Sequence, residues 1–507
     1  MENSIGKKPI LVTGVTGYIG GRLVPLLLKT GYKVRATARS LGKIKSRSWA
    51  SAENLEIMEM DVFDKNTLNQ TLNGCFAAYY LIHSMGTSCS KFSEKDRQAA
   101  INFKEVAQKV KLHRIIYMGG LGGTQANASL HLKSRQEVGD ILQAGTVPVT
   151  IFRAAHILGS GSASFEMLRY ISERLPYIII PKSVLDTAIQ PISIRNVLYY
   201  LAESLKKPEI ISSTLDVGGE EVITYRQLLE IYAREAGLKK PIFINVPFFK
   251  LGKQLGLNLV QLTLPIPYKI SKLLLEGLSV QTTVDNHDVL KIIPQKLISY
   301  SEAIKRANYI DALKTVETHW TDAGELRPPE WFYSGDAPYS GGMLLKSGFH
   351  VLLDATPKDI WPLIIQIGGN HGWYFGDYIW RILGLVDHLI GGVGLIRGRR
   401  HSQELHIGDV LDFWRVLDIK PLISLVLIGE KKMAGEAILS FELVPQSNGI
   451  EVRMITCFRP KGIVGLMHWY LFLPIHNYLF KGLLKELAVK SGKSVLGGVE
   501  KYLPGPI

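Results

Sequence analysis

Residues Ile10 to Gly20 read Ile-Leu-Val-Thr-Gly-Val-Thr-Gly-Tyr-Ile-Gly, an apolar run that flows into glycines at 14, 17 and 20. Ile10 to Thr13 suits a strand covered on both faces, because such strands read as continuous apolar runs. Gly14 permits a tight turn out of the strand. Gly17 lets backbone approach a ligand with no Cβ in the way, and Gly20 lets the next helix pack close to the sheet. That helix, expected over Tyr18 to Thr30, points its N-terminal amides and positive dipole end at phosphate. A second strand follows at Lys33 to Ala38. Strand, glycine turn, helix and strand in this order predict a dinucleotide-binding unit, with Thr13, Gly14, Thr16, Gly17, Tyr18, Ile19 and Gly20 around the pyrophosphate. The alternative is a glycine-rich turn facing an empty cleft.

The end of the second strand separates two cofactors. A carboxylate there would bind a ribose 2′-hydroxyl, whereas an arginine accommodates a 2′-phosphate. The sequence places Arg39 there, with Arg35 inside the strand and no acidic residue between the strand and Glu53. NADP(H) is therefore expected over NAD(H). The competing reading makes Arg39 an ordinary solvated cation.

Apolar strand candidates recur at Leu55–Glu59, Ala77–Leu81, Arg114–Met118 and Val149–Arg153, separated by helix-length stretches such as Phe92 to Leu112 and Lys133 to Ala144. This alternation predicts an α/β fold, a doubly wound parallel sheet with helices on both faces. Asp61 follows the third strand, with Val62 beside it, where a carboxylate can meet an adenine amino group. Leu81 and Ile82 end the fourth strand at the crevice where cofactors bind. His83 is either crevice lining or a plain loop residue.

From 155 to 310 the pattern becomes mixed and loop-rich, and a small substrate lobe is expected over the first unit (residues 1–310). Thr224-Tyr-Arg-Gln227 resembles a capping box. Residues 311–340, with Arg327-Pro-Pro329, Pro338 and Gly341-Gly342, read as a linker. Residues 341–507 read as a separate α+β unit. Met343 to Leu353 is strand-like, Thr356 and Pro357 open a helix, four further strands follow, and a long helix ends the chain. Val464 to Phe480 lacks Asp, Glu, Lys and Arg but contains His468, Pro474, His476 and Asn477. It falls short of the ~20 apolar residues that span a bilayer and reads as a buried or interfacial helix.

At 507 residues, two or three domains are expected. Apolar content of 46% with 21% charged residues is ordinary globular composition, but the net charge of +14 is large. Basic clusters at Lys43–Arg47, Arg397–His401 and Lys481–Lys493 suit phosphate, an anionic membrane surface or plain solvated faces. No nucleic-acid motif is visible, so no nucleic-acid partner is expected. Cys75, Cys89 and Cys457 are isolated, which indicates neither a disulfide framework nor a zinc site, and fits a reducing compartment. The N-terminus lacks the apolar core of a signal peptide. A cytoplasmic protein is expected, with contact at the inner face of a membrane left open.

Taken together, Thr13-Gly14-x-x-Gly17-x-x-Gly20, Arg39, Asp61, Gln190-Pro-Ile-Ser-Ile-x-x-Val197 and Asp216-Val-Gly-Gly219 resemble the extended short-chain dehydrogenase/reductases, particularly their atypical, NmrA-like members. Residues from about 340 to 503 resemble a bacterial domain of unknown function in the SRPBCC, or START-like, helix-grip superfamily. That likeness is carried by Gly372-Trp373-Tyr374, Gly391-Gly392-Val393-Gly394, Arg397-Gly-Arg399-Arg400 and Gly408-Asp409-x-x-Asp412-Phe413-Trp414. The first resemblance implies a Ser after the fifth strand and a Tyr-x-x-x-Lys on the next helix, where Tyr moves the substrate proton and Lys tunes it. This chain departs from that pattern. Gly119-Gly120 stand at the serine place and His131-Leu-Lys-Ser-Arg135 at the other. His131 can move a proton near neutral pH. Arg135 can bind ribose or phosphate but does not tune as lysine does. The alternative makes His131 a helix-start residue without chemistry.

The second resemblance implies an apolar cavity between sheet and long helix, suited to a hydrophobic ligand. Aromatic packing without a cavity is the alternative. Asp409 and Asp412, near His401 and His406, read as turn and strand residues, and no metal is expected. Three functions therefore fit the sequence: an atypical NADP(H)-dependent oxidoreductase acting on an unknown small or hydrophobic substrate, a non-catalytic NADP(H) sensor or scaffold, and a hydrophobic-ligand binder working through the C-terminal domain.

Overall fold

A computed structural model describes residues 8–83, 92–175, 177–244, 275–285, 288–313, 315–323, 329, 344–390, 392–395 and 399–502. Cys89, Gly391, Arg397 and the proline- and glycine-rich positions 327, 328, 338, 341 and 342 lie outside the described residues. The chain divides into two units, Met1–Gly324 and Glu325–Ile507.

The first unit is built on a parallel sheet. Its strands are β1 (Ile10–Val12), β2 (Val34–Ala38), β3 (Leu55–Glu59), β4 (Ala77–Tyr80), β5 (Arg114–Gly120) and β6 (Val149–Ala154), with Thr214–Val217 as the far edge. In space the order runs β3-β2-β1-β4-β5-β6, then Thr214–Val217. Every residue of β1, β4 and β5 is buried, as the continuous apolar runs require of strands covered on both faces. β1 pairs with β2 on one side and β4 on the other. The strand order therefore reverses at the C-terminal ends of β1 and β4, which opens a crevice there.

That crevice edge depends on a missing side chain. Gly14 has φ +63°, and a Cβ there would lie 2.6 Å from the Leu81 carbonyl oxygen. A Cβ on Gly20 would collide with the Gly14 carbonyl oxygen. Thr13 clamps the same junction, its hydroxyl donating to Tyr79 O (3.0 Å) and accepting from the Leu81 N–H (2.9 Å).

The stretch from 155 to 310 is divided between two cores. Thr214–Val217 joins the main sheet beside β6, although the sequence reads it as part of the small lobe. The Arg153 guanidinium reinforces that edge with two bonds to Asp216, of 2.6 and 3.0 Å. Helix Ile194–Ser204 likewise packs Val197, Tyr200 and Leu201 into the core of the sheet. Helices Ala163–Arg174, Tyr225–Glu235 and Tyr300–Ala312 form the lobe proper, around Phe165, Tyr232 and Ile304. Thr224 and Gln227 make the expected capping box.

The expected linker begins later than its composition suggests. Residues 315–323 fold back onto the first helix, Gly20–Lys29, and the glycine turn. The Thr318 hydroxyl donates to Tyr18 O (2.9 Å) and accepts from Arg22 Nε (2.8 Å). Arg47 and Asp322 form a 3.1 Å ion pair with side chains only 6% and 4% exposed, and Lys43 Nζ donates to Asp322 O. The basic run Lys43–Arg47 is thus partly an internal anchor.

The second unit is a seven-stranded antiparallel sheet. Its order is Val410–Leu411, Trp414–Lys420, Ser424–Gly429, Gly435–Gln446, Gly449–Pro460, Leu345–Leu353 and Val495–Tyr502. Its inner face, with Val351, Leu427, Phe441 and Val452, packs on Leu479, Leu483 and Leu487 of helix Gly462–Ser491. The long helix does not end the chain. It stops at Gly492 (φ +64°), and Val495–Tyr502 returns to pair with Leu345–Leu353. The helix is buried along one face only: Trp469 and Phe480 are covered, while Val464, Met467 and Leu471 are 68–71% exposed. At the front of the unit, Pro357 opens a helix and the Thr356 N–H donates to the Asp359 carboxylate (2.8 Å).

Two outcomes test these constraints. Asp322→Ala strands the buried Arg47 charge and should lower stability by about 3–5 kcal/mol. A loss under about 1 kcal/mol in urea unfolding would mark the pair as an ordinary surface contact. Gly14→Ala forces a side chain into a left-handed conformation and should cost on the order of 1–3 kcal/mol; an unshifted urea midpoint would contradict the tight junction.

Candidate functional site

The crevice at the ends of β1 and β4 is lined by backbone on the β1 side. After Gly14 the chain turns through Val15 and Thr16, and the Gly17 N–H donates to Gly14 O (2.9 Å). Ile19 caps the first helix without a side-chain bond, so its leading amides present as a backbone cradle. A Cβ on Gly17 would meet Gly14 O at 3.2 Å, so even the smallest side chain would crowd this surface. The Tyr18 side chain turns inward. Its ring lies under the Arg22 guanidinium, 4.6 Å from the centroid, its hydroxyl is buried, and burial pushes its pKa up to about 12. Thr13 is fully buried, and its hydroxyl is committed to β4. Both residues contribute backbone and shape to the cradle.

Around the rim, Arg39 stands exposed just past the end of β2. Arg35 is structural: it binds Glu56 (2.7 Å) and the carbonyls of Thr71 and Asn73. Asp61 shapes the turn after β3, where its Oδ1 accepts from the Phe63 N–H (3.0 Å). Val62 is buried and its carbonyl accepts from Asn102 Nδ2 (3.1 Å). Leu81 and Ile82 leave β4 directly against Gly14 and are half-buried.

The next residue changes the site. His83 Nδ1 lies 2.9 Å from Asp96 Oδ2, and His83 Nε2 lies 3.2 Å from His131 Nδ1. Three elements converge here: the exit of β4, the second turn of helix Phe92–Lys109, and the first turn of helix Leu130–Gln143. Ser129 caps the last of these, its hydroxyl accepting from the Leu132 N–H (3.4 Å), and so sets His131 at the helix start. Asp96 is 3% exposed. As a carboxylate it only accepts, so His83 Nδ1 donates to it. A neutral His83 then accepts at Nε2 from the His131 Nδ1–H, which leaves the lone pair on His131 Nε2. Burial pulls the pKa of His83 down, opposed by its bond to Asp96. Burial, with the neighbouring His83 ring and the Arg135 charge, holds His131 well below the ordinary histidine range. Both rings are therefore neutral near pH 7.

Arg135 sits one helical turn beyond His131 but is turned to the sheet. Its guanidinium donates to Met118 O and lies over the Tyr117 ring at 5.8 Å. Gly120 leaves room for it: a Cβ there would come within 3.6 Å of Arg135 Cδ. Sequence reasoning singled out His131 and left His83 undecided. It missed Asp96, which lies 13 residues away in a helix with no motif around it. It also missed His156, just past β6, whose Nε2 lies 3.0 Å from the Tyr225 hydroxyl and whose pKa burial pulls down to about 4.

In the second unit, the charged motif residues are internal. Arg400 pairs with Asp409 (3.0 Å), their side chains 6% and 3% exposed. Arg399 donates to the carbonyls of Ile367 and His401. Asp412 accepts from Trp373 Nε1 (3.0 Å). These groups hold loops in place, and the described arginines of the basic cluster, Arg399 and Arg400, are engaged by partners within the unit.

Comparison with known proteins accords with the two-unit division. Residues 340–483 match a family described as a protein of unknown function, DUF2867. Cinnamoyl-CoA reductase 2 of Arabidopsis thaliana is 28% identical over 124 residues, 24% of this chain and 37% of that protein. The chain thus spans little more than a third of that curated relative. Among solved structures, the Citrobacter sp. triphenylmethane reductase complexed with NADP(H) is 17% identical, with a TM-score of 0.47, covering 59% of this chain and 99% of that one. The NADPH-dependent quinone oxidoreductase of Escherichia coli complexed with NADPH is 17% identical, with a TM-score of 0.48, covering 58% and 98%. The NmrA-like family matches residues 6–319, more than half of the chain, and the chain belongs to that family.

Proposed function

We propose that the first unit binds NADP(H) and acts as an oxidoreductase whose proton is handled by His131. Its backbone cradle supports the first part of this reading. In it, the amides of Thr16, Tyr18, Ile19 and Gly20 hold the pyrophosphate, Arg39 meets the 2′-phosphate, Asp61 and Val62 flank the adenine, and Leu81 and Ile82 floor the nicotinamide side. The similarity to reductases described as NADP(H)- or NADPH-bound is in keeping with this assignment but does not carry it. When bound there, the cofactor supplies or accepts hydride.

The Asp96–His83–His131 chain is the single observation that carries the catalytic reading. It follows directly on Leu81 and Ile82, and its His131 stands at the sequence position where the resemblance expects the tyrosine. His131 Nε2 takes the proton from a substrate hydroxyl in the oxidative direction and returns it in the reductive one. His83 holds the His131 ring through Nδ1, and Asp96 offsets the positive charge that develops on the pair. Arg135, tied to Met118, steadies the end of β5 beneath them. The second unit, a sheet packed on a 30-residue helix, we read as a helix-grip domain of the SRPBCC type.

NADPH should bind more tightly than NADH in a fluorescence titration, and Arg39→Ala should narrow the gap; equal affinities in the parent protein would remove the cofactor preference. With a carbonyl, quinone or enone panel, His131→Ala should slow turnover by roughly 10²–10⁴-fold, with NADPH affinity retained. Binding without turnover across the panel would favour the sensor reading. Because burial lowers the His131 pKa, its neutral, proton-accepting form persists as pH falls. The oxidative rate should therefore hold down through the ordinary histidine value of about 6.5 and decline only below it. An acid limb at or above neutrality would assign the proton to another group.

A further inference from the structure

We propose that the C-terminal unit binds an apolar carboxylic acid, its carboxylate received by Lys431 and the indole N–H groups of Trp380 and Trp414 around Phe413. This site lies wholly within the second unit and stands independently of the dinucleotide reading.

The argument begins with unmatched donors. Trp380 and Trp414 are 3% and 4% exposed, and the Nε1–H of each is buried with no acceptor. An indole N–H only donates, and a buried donor left unpaired is costly enough that native proteins rarely keep one without a ligand, ion or water to meet it. Here two occur on rings that share a neighbour. Phe413 lies 5.9 Å from Trp380 and 5.6 Å from Trp414, centroid to centroid. The Lys431 ammonium sits 5.5 Å over the same Phe413 ring.

Lys431 adds an unmatched charge. It projects from the turn between strands Ser424–Gly429 and Gly435–Gln446 and is half-buried. Burial lowers its pKa, against the pull of Asp387. Asp387 is a Coulombic neighbour but forms no salt bridge with it; its Oδ1 accepts from the Lys432 N–H (2.6 Å) and its Oδ2 from the Gly394 N–H (2.8 Å). Glu430, beside Lys431 in sequence, is bound to Arg415 (2.6 Å). Among the described residues, no salt bridge or hydrogen bond reaches the Lys431 ammonium.

The remaining surroundings are largely aromatic, and the nearby Asp412 carboxylate is taken up by Trp373 Nε1 (3.0 Å). Trp373 lies 5.1 Å from Trp380. His476 stacks on Phe480 at 5.6 Å, and burial pulls its pKa down to about 3, so it carries no charge. One cation and two neutral indole donors, none of them bonded to an acceptor among the described residues, complement an anionic oxygen pair on an apolar body. A neutral alcohol would leave the charge unmatched, and a cationic ligand would be repelled.

Titration of the full-length protein with decanoate and with decanol, read by tryptophan fluorescence and native mass spectrometry, tests the proposal. Decanoate should bind at one site and more tightly than decanol of the same chain length. Lys431→Met should weaken decanoate by about tenfold or more, the scale of a charge-assisted hydrogen bond, and leave decanol unchanged. Trp414→Phe, which keeps a ring and removes the N–H, should weaken decanoate to a lesser degree. Thermal melts matching the parent confirm that each variant is folded. Equal binding of acid and alcohol, no decanoate binding, or full decanoate affinity in folded Lys431→Met would each overturn it.

Discussion

The first unit turns on one backbone approach that no other residue permits. Gly14, in a left-handed conformation, rests on the Leu81 carbonyl as β1 and β4 leave the sheet. The strand order reverses between these two strands, so this junction forms the floor of the crevice. Two further features depend on it. The first helix begins close enough to the sheet to aim its amides into the crevice, and the chain leaving β4 is held where His83 can meet Asp96 and His131. Thr13 secures the junction with bonds in both directions, which is why its hydroxyl is unavailable to a ligand.

Buried charge does different work in the two units. In the first it anchors: Arg22, Lys43 and Arg47 reach out from the first helix and the segment after β2 to hold residues 315–323 against the glycine turn. Breaking such a pair is costly because the survivor stays buried. In the second unit, Arg400 and Asp409 play the same part, and Arg415 and Glu430 tie neighbouring strands. Lys431 differs from these cations in having no hydrogen-bond acceptor bound to it among the described residues, and it stands among donors that also lack acceptors. The distinction between a cation that holds the fold and one that awaits a ligand rests on the partners each one reaches.

Much of the parallel sheet was legible because burial on both faces writes itself as continuous apolar runs, and β1 to β6 fall close to the strands read from them. The edge strand Thr214–Val217 was harder. Its four residues look like any short strand, and its pairing with β6 comes from 60 residues away. The segment 315–323 was read as linker because it has no periodicity; it is held by side chains of distant cations, which leave no local pattern. The return strand after Gly492 was likewise hidden behind a long apolar helix.

The sequence by itself determined the glycine cradle and the position of Arg39, since both follow from local backbone sterics and from spacing along one strand–helix–strand unit. It also singled out His131, by its place in a motif that the chain otherwise lacks. Only the tertiary structure decided that His131 leans on His83 and Asp96, that Arg135 faces the sheet, and that Trp380, Trp414 and Lys431 surround one phenylalanine. These are contacts between segments separated by 13 to 51 residues. Their geometry is set by how helices and strands pack, and packing distance is a quantity that no local stretch of sequence records.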